Sequence, residues 1–310
     1  MPTPAHATLD RMTSTAPPTT GTPVAGIAWG LVGVLAFSFT VIATRVAVVD
    51  LDPLLVGTGR AVVAAALAGV ALAWTRQRLP SRRQWLRLGI VATGVVAGFP
   101  LLTSYALTTT PASHGAVVIA LLPAATAVAA TVRAHERPSA RFWVASAAGC
   151  VAAVTTALVA GGGPPALHGA DLLLLLAVVA AAVGYAEGGV LARELGAWQT
   201  IAWALVVASP VMAALAGSSL LVAPAVASPQ AWLAFAYLSV VSMLLGFVAW
   251  YRGLAIGPMA RVSQLQLVQP TLSIAWAALL LGEVITVPTI VGGAVVVACA
   301  AVAVRSRASR

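Results

Sequence analysis

Hydrophobic positions in this chain come in long runs, and the short stretches between them hold most of the charge. About ten such runs can be read, with cores near 25–47, 53–74, 86–107, 112–132, 141–160, 171–192, 197–217, 231–251, 260–281 and 285–304. Each is close to the ~20 residues an α-helix needs to cross the hydrocarbon of a bilayer. Inside lipid no water serves the backbone, so runs of this length must be helices. The pattern therefore predicts an all-α polytopic membrane protein with about ten transmembrane helices.

Composition agrees with that reading. The chain is 60% hydrophobic and 8% charged, with a mean hydropathy of +0.98, whereas soluble domains carry about 25% charge. The net charge of +9 would suggest nucleic acid, but all 17 basic residues are arginines. Most fall at alternate ends of the runs: Arg76, Arg78, Arg82, Arg83 and Arg87, then Arg133, Arg137 and Arg141, then Arg193, then Arg252 and Arg261, and finally Arg305, Arg307 and Arg310. The intervening connections hold no arginine, and Asp50, Asp52 and Asp171 lie on that side. Positive loops stay in the cytoplasm, so both termini are expected there, in the bacterial cytoplasmic membrane. Residues 1–23 read as a disordered cytoplasmic tail and 306–310 as a short one. Cys150 and Cys299 lie within apolar runs and read as packing residues.

The chain also repeats. Leu107, Pro111, Pro123 and Glu136 match Leu254, Pro258, Pro270 and Glu283, each pair 147 residues apart. Gly98-Phe99 and Gly246-Phe247 match with a one-residue slip. Two units result, 24–161 and 168–305. Five helices per unit is an odd number, so the second must sit upside down relative to the first. Inverted repeats of this kind build secondary transporters, because two equivalent halves supply the two arrangements of alternating access.

These residues resemble the EamA-type unit of the drug/metabolite transporter superfamily. The likeness rests on the paired Leu, Pro, Pro and Glu positions, on Leu281-Gly282-Glu283, and on Arg60 following Gly57, Thr58 and Gly59. It covers about residues 25–305. It implies ten helices in two five-helix units and export of metabolites, amino acids or drugs. The first repeat departs from it, with His135-Glu136-Arg137 where the second has Gly282-Glu283.

Ionisable residues within spans are functional candidates, because an unpaired charge in lipid is costly. Glu187, beside Gly184, Tyr185, Gly188 and Gly189, would bind a proton or a cationic group; its structural alternative reaches water or pairs with Arg252. Arg60 would hold a substrate carboxylate through its guanidinium fork, or else clamp a carboxylate or carbonyl between helices. Ser263, Gln266 and Gln269 recur every three residues on one helix face, with Gln264 off that stripe. Pro270 and Pro123 lack an N–H and free the carbonyls of Gln266 and Ile119, so both read as helix-breaking, gating positions. Glu136 and Glu283 are expected to cap the following helices. Tyr105, Trp250 and Tyr251 read as interfacial aromatics, and His114, at a helix start, reads either as a titrating group or as a merely polar residue.

No cluster of His, Cys, Asp or Glu suggests an enzyme, a metal or another cofactor, and no phosphate-cradling motif suggests ATP-driven pumping. A channel would need polar residues along its whole depth, and a non-transporting receptor or scaffold is the remaining alternative. The expected partners are a small-molecule substrate and the lipid bilayer. A proton or the substrate gradient would drive two halves rocking around a midplane cavity, in a monomer or a homodimer.

Overall fold

The computed structural model of the chain describes residues 23–110, 115, 118–160, 169–222, 225–281 and 287–306. The tail expected over 1–23 lies outside them but for Pro23, as do Pro111, His114, Glu283 and residues 307–310. Regular structure among the described residues is helical. The first run becomes α1 (Pro23–Ser38) and α2 (Thr40–Asp50), which meet at Phe39; α3 is Pro53–Trp74. Next, α4 (Arg82–Val91) passes through a π-helical stretch, Ala92–Gly98, into α5 (Phe99–Thr109). Then come α6 (Leu122–Ala134), α7 (Ala140–Ala160), α8 (Gly169–Leu195) and α9 (Ala197–Val222). A second π-helical stretch, Leu238–Leu245, joins α10 (Pro229–Tyr237) to α11 (Gly246–Ile256). Last are α12 (Met259–Ser263), a 3₁₀ turn at Gln264–Leu267, α13 (Val268–Leu281) and α14 (Val287–Arg305).

Among the described residues six helical stretches are long and apolar enough to cross a membrane: Val24–Asp50, Pro53–Trp74, Arg82–Thr109, Gly169–Leu195, Ala197–Val222 and Pro229–Ile256. Ala140–Thr156 and Ile290–Arg305 are shorter apolar helices. The outer surface carries Trp74, Leu221, Val222 and Leu233 almost bare, a face that suits lipid rather than water. The protein is thus a multi-pass membrane protein.

Helix starts follow local chemistry. Asp52 caps α3, its Oδ1 accepting from Leu54 N at 3.0 Å and Leu55 N at 3.2 Å, with Pro53 in the first turn. Ser81 and Gln84 form a reciprocal capping box on α4. That box starts the third run at Arg82, four residues before the expected 86, and carries Arg87 into the helix. Ser228 and Pro229 start α10 in the same manner as Asp52 and Pro53 start α3.

Helices from the two ends of the sequence interleave. α1 packs along α11, α3 along α9, and α7 along α14, while α8 packs against α4, α5 and α6. Small residues allow the approach: a Cβ on Gly26 would stand 2.9 Å from Gly257 Cα, and one on Gly94 would stand 2.5 Å from the Ala180 carbonyl oxygen. The two π-helical stretches end at Gly98 and Leu245, again 147 residues apart.

Candidate functional site

At the break at Phe39 side chains from other segments donate to successive backbone carbonyls. Tyr237 Oη donates to Ala36 O. Gln269 Nε2 donates to Phe37 O at 3.4 Å, and Ser273 Oγ to Ser38 O at 2.6 Å. Trp276 Nε1 donates to Ser38 Oγ at 2.9 Å. A polar network therefore ties the broken first segment to α10 and α13 deep among apolar walls, where an unmet carbonyl would cost one or more kcal/mol.

Beside this break lies a small, partly open cavity of about 30 Å³, room for one or two waters. Phe37, Thr40 and Val41 line it from the break, Arg60 from α3, and Val95, Phe99 and Pro100 from the first π-helical stretch and its exit. Leu122, Tyr185, Ser242, Met243, Phe247 and Gln269 complete it. Both π-helical stretches thus end at the cavity, as such bulges often do at functional sites. Thr40 and Ser242 hydroxyls meet across it at 2.9 Å. Phe37 sits between Phe247, with ring centres 5.0 Å apart, and Tyr185, at 6.5 Å.

Three sequence candidates, Arg60, Tyr185 and Gln269, therefore share one cavity. Arg60 is 1% exposed. Its Nε and Nη1 make no hydrogen bond, and among the described residues no carboxylate pairs with it, so the clamp expected as its alternative role is not made through these atoms. Gln266 is buried next to this group; its amide makes no hydrogen bond of normal geometry and interacts with the Tyr185 hydroxyl. Ser263 turns back onto Ala260 O at 2.8 Å and is not a lining residue. Gln264, which helical spacing set apart, is the residue that reaches across, donating to Pro123 O at 3.3 Å. The tight turn at Gln264–Leu267 rotates it out of the expected register. Pro123 sits in the first turn of α6, where its missing N–H costs nothing. Pro270 follows the 3₁₀ turn, and there Val268 N turns onto the carbonyls of Leu265 and Gln266.

Glu187 belongs to a different cluster. Its side chain is 5% exposed, and its carboxylate is held by Arg87 Nε and by Arg133, whose Nη2 lies 3.0 Å away. Arg87 also pairs with Glu194. Arg87 and Arg133, not Arg252, are its partners among the described residues, because the capped start of α4 puts Arg87 inside a helix facing α8. Glu136 accepts from Met259 N at 2.7 Å and Ala260 N at 2.8 Å. It heads α12 rather than the next helix, α7, and Arg193 stands 3.8 Å from it. Its counterpart Glu283 lies outside the described residues. An apolar groove of about 650 Å³, walled by Val128, Val132, Val179 and Val183, leads from the outer face to Arg133 and Glu187.

A second set of polar contacts closes the other end. Ser219 Oγ donates to Asp52 at 2.6 Å, and Ser228 N to Asp50 at 3.0 Å. Arg45 Nη1 donates to Leu107 O at 2.7 Å and Thr108 O at 3.1 Å. Each set of contacts thus includes bonds between segments from both parts of the sequence.

Trp250 and Tyr251 correct the interfacial reading. Both are wholly buried, Trp250 against Gly33, and Tyr251 donating to Gly184 O at 3.2 Å. Tyr105 is 44% exposed. Sequence spacing missed Arg87, Arg133, Thr40 and Ser242; the Ser81–Gln84 signature would have placed Arg87 one and a half turns into a helix. Among the described residues no three His, Cys, Asp or Glu side chains gather to hold a metal.

The EamA-like transporter family matches residues 24–158 and again 168–305. A protein of Bacillus subtilis (strain 168), named as the uncharacterized transporter YdeK, is 45% identical over 284 residues, covering 89% of this chain and 96% of that one. A solved crystal structure superposes with a TM-score of 0.72 at 20% identity, covering 91% of this chain and 97% of that one. At that identity the likeness concerns the fold alone.

Proposed function

This chain belongs to the EamA-like transporter family, and we propose that it is a secondary transporter exporting small metabolites, amino acids or drugs by alternating access. Its two units, 24–161 and 168–305, are ten transmembrane helices in opposite orientation, with both termini cytoplasmic. The two family matches and the two π-helical stretches in equivalent positions support the repeat. So does the packing. Exchanging the units turns the pairing of α1 with α11 into that of α8 with the third run, and both pairings occur.

The observation that carries the mechanism is a small cavity lined by both units, with two separate sets of polar contacts joining the units. Arg87, Arg133, Glu187 and Glu194, with Glu136 on α12, hold the arginine-rich end. Asp50 and Asp52 with Ser228 and Ser219 hold the other. Opening one latch at a time exposes the cavity to one side only, whereas a channel opens both. Arg60, Tyr185, Gln266 and Gln269 contact the solute, and Pro123 and Pro270 sit where segments bend during the change. Glu187, already paired with two arginines, acts in the latch.

Counterflow in proteoliposomes tests this. Vesicles preloaded with a carried solute should transiently concentrate its radiolabelled form, as a carrier does. Flux without counterflow would indicate a channel, and an absence of flux across all solute classes would rule out transport.

A further inference from the structure

We propose that the cavity at Arg60 seats a single carboxylate, and that the solute is an organic monocarboxylate lacking a compensating cationic group; this rests on the transport reading above. The argument starts from charge. Arg60 is 1% exposed, and arginine stays protonated in proteins. Its Nε and Nη1 are unpartnered. The carboxylates of Asp50, Asp52, Glu136, Glu187 and Glu194 are engaged at the two ends. A desolvated guanidinium without a counter-ion is costly in lipid. A negative group brought by the solute completes it, through the bidentate geometry that suits a carboxylate.

The rest of the lining fixes how many charges the solute brings. Thr40, Tyr185, Ser242 and Gln269 are neutral, and the other lining side chains are apolar. One fixed positive charge balances one negative charge. A dicarboxylate or a phosphate dianion would leave a second negative charge buried without a partner. An amino-acid zwitterion would bring an ammonium that finds only neutral acceptors. The aromatic wall of Phe37, Tyr185 and Phe247 fits an apolar body. In this structure the cavity has room for a carboxylate-sized head, about one or two waters. The body therefore enters as the wall parts.

The test uses the purified full chain and four matched probes: 3-phenyllactate, its amide, phenylalanine and phenylsuccinate. Binding is read by thermal stability and by tryptophan fluorescence in the native protein, Arg60→Gln and Arg60→Lys. Phenyllactate should bind more tightly than the other three. Arg60→Gln should weaken phenyllactate by at least about tenfold, the scale of a charged hydrogen-bonded contact, while leaving the amide unchanged or improved. Arg60→Lys, which keeps the charge, should retain the preference for the acid. Phenylalanine or phenylsuccinate binding as tightly as phenyllactate would overturn the assignment. So would phenyllactate binding unchanged in Arg60→Gln, or no binding of any probe to the native protein. Protein-mediated flux of the amide or phenylalanine through the native protein as fast as that of phenyllactate overturns it and leaves transport standing. Phenyllactate binding that depends on Arg60, with no flux beyond protein-free vesicles, sustains the site and overturns the transport reading.

Discussion

Glu187 is the anion that neutralises two arginines at one end of the bundle, so replacing it with glutamine should loosen that end selectively. Removing one partner of a buried ion pair costs about 3–5 kcal/mol where no other partner remains. Here the cost is smaller. The Arg133 side chain is 40% exposed, and Arg87 keeps Glu194 after the substitution. Discounting for that exposure leaves about 2 kcal/mol, which is roughly a thirtyfold shift between closed and open forms of that latch. The reporter is Leu122→Cys, a cavity-lining position, in a background with Cys150 and Cys299 replaced by alanine. A membrane-impermeant maleimide applied from the arginine-rich side should label it about thirty times faster in Glu187→Gln. Glu187→Asp, which keeps the charge, should change the rate much less. Labelling within twofold of the parent, in Glu187→Gln protein that remains folded, would refute the latch argument.

Further substitutions follow from the same geometry. Gly94→Ala places a methyl 2.5 Å from the Ala180 carbonyl oxygen and 3.0 Å from Gly184 Cα, both backbone, so α8 must shift and the melting temperature should fall. Gly217→Ala meets nothing within 4 Å and should be neutral or stabilising by up to about 1 kcal/mol, the helix-propensity difference. Ser273→Ala and Tyr237→Phe each strip a donor from a carbonyl at the Phe39 break and should cost about 1 kcal/mol each, read by thermal unfolding in detergent. Glu136→Gln weakens the anionic cap on α12, and hydrogen exchange at Met259 and Ala260 should speed up about fivefold or more; unchanged protection there would remove the cap from the account.

How far the sequence foretold this depends on the kind of signal. Run length carried the helices, because lipid leaves the backbone no alternative. The candidates Arg60, Tyr185 and Gln269 were visible as polar residues inside apolar runs, and they share one cavity. Their cross-segment partners were not visible. Arg87 and Arg133 read as loop arginines because each stands at the very edge of its apolar run. The capping box extends the helix over Arg87, and the whole of Leu122–Ala134 carries Arg133. Trp250 and Tyr251 near a run end looked interfacial, yet glycines at 33 and 188 open room for their rings. Gln264 was misjudged because a 3₁₀ turn changes the angular spacing from one residue to the next. In each case the missing information is which helix lies opposite.

The most direct test of alternating access measures both ends at once. Spin labels at Val49→Cys with Val226→Cys report the end held by Asp50 and Asp52. Labels at Arg137→Cys with Arg252→Cys report the arginine-rich end. All four positions are exposed. Pulsed electron-spin distance measurements in nanodiscs should yield two populations in which one pair lengthens while the other stays short, with Glu187→Gln favouring the form open at the arginine-rich end. Both pairs lengthening together, or neither pair changing with solute or with Glu187→Gln, would contradict the account.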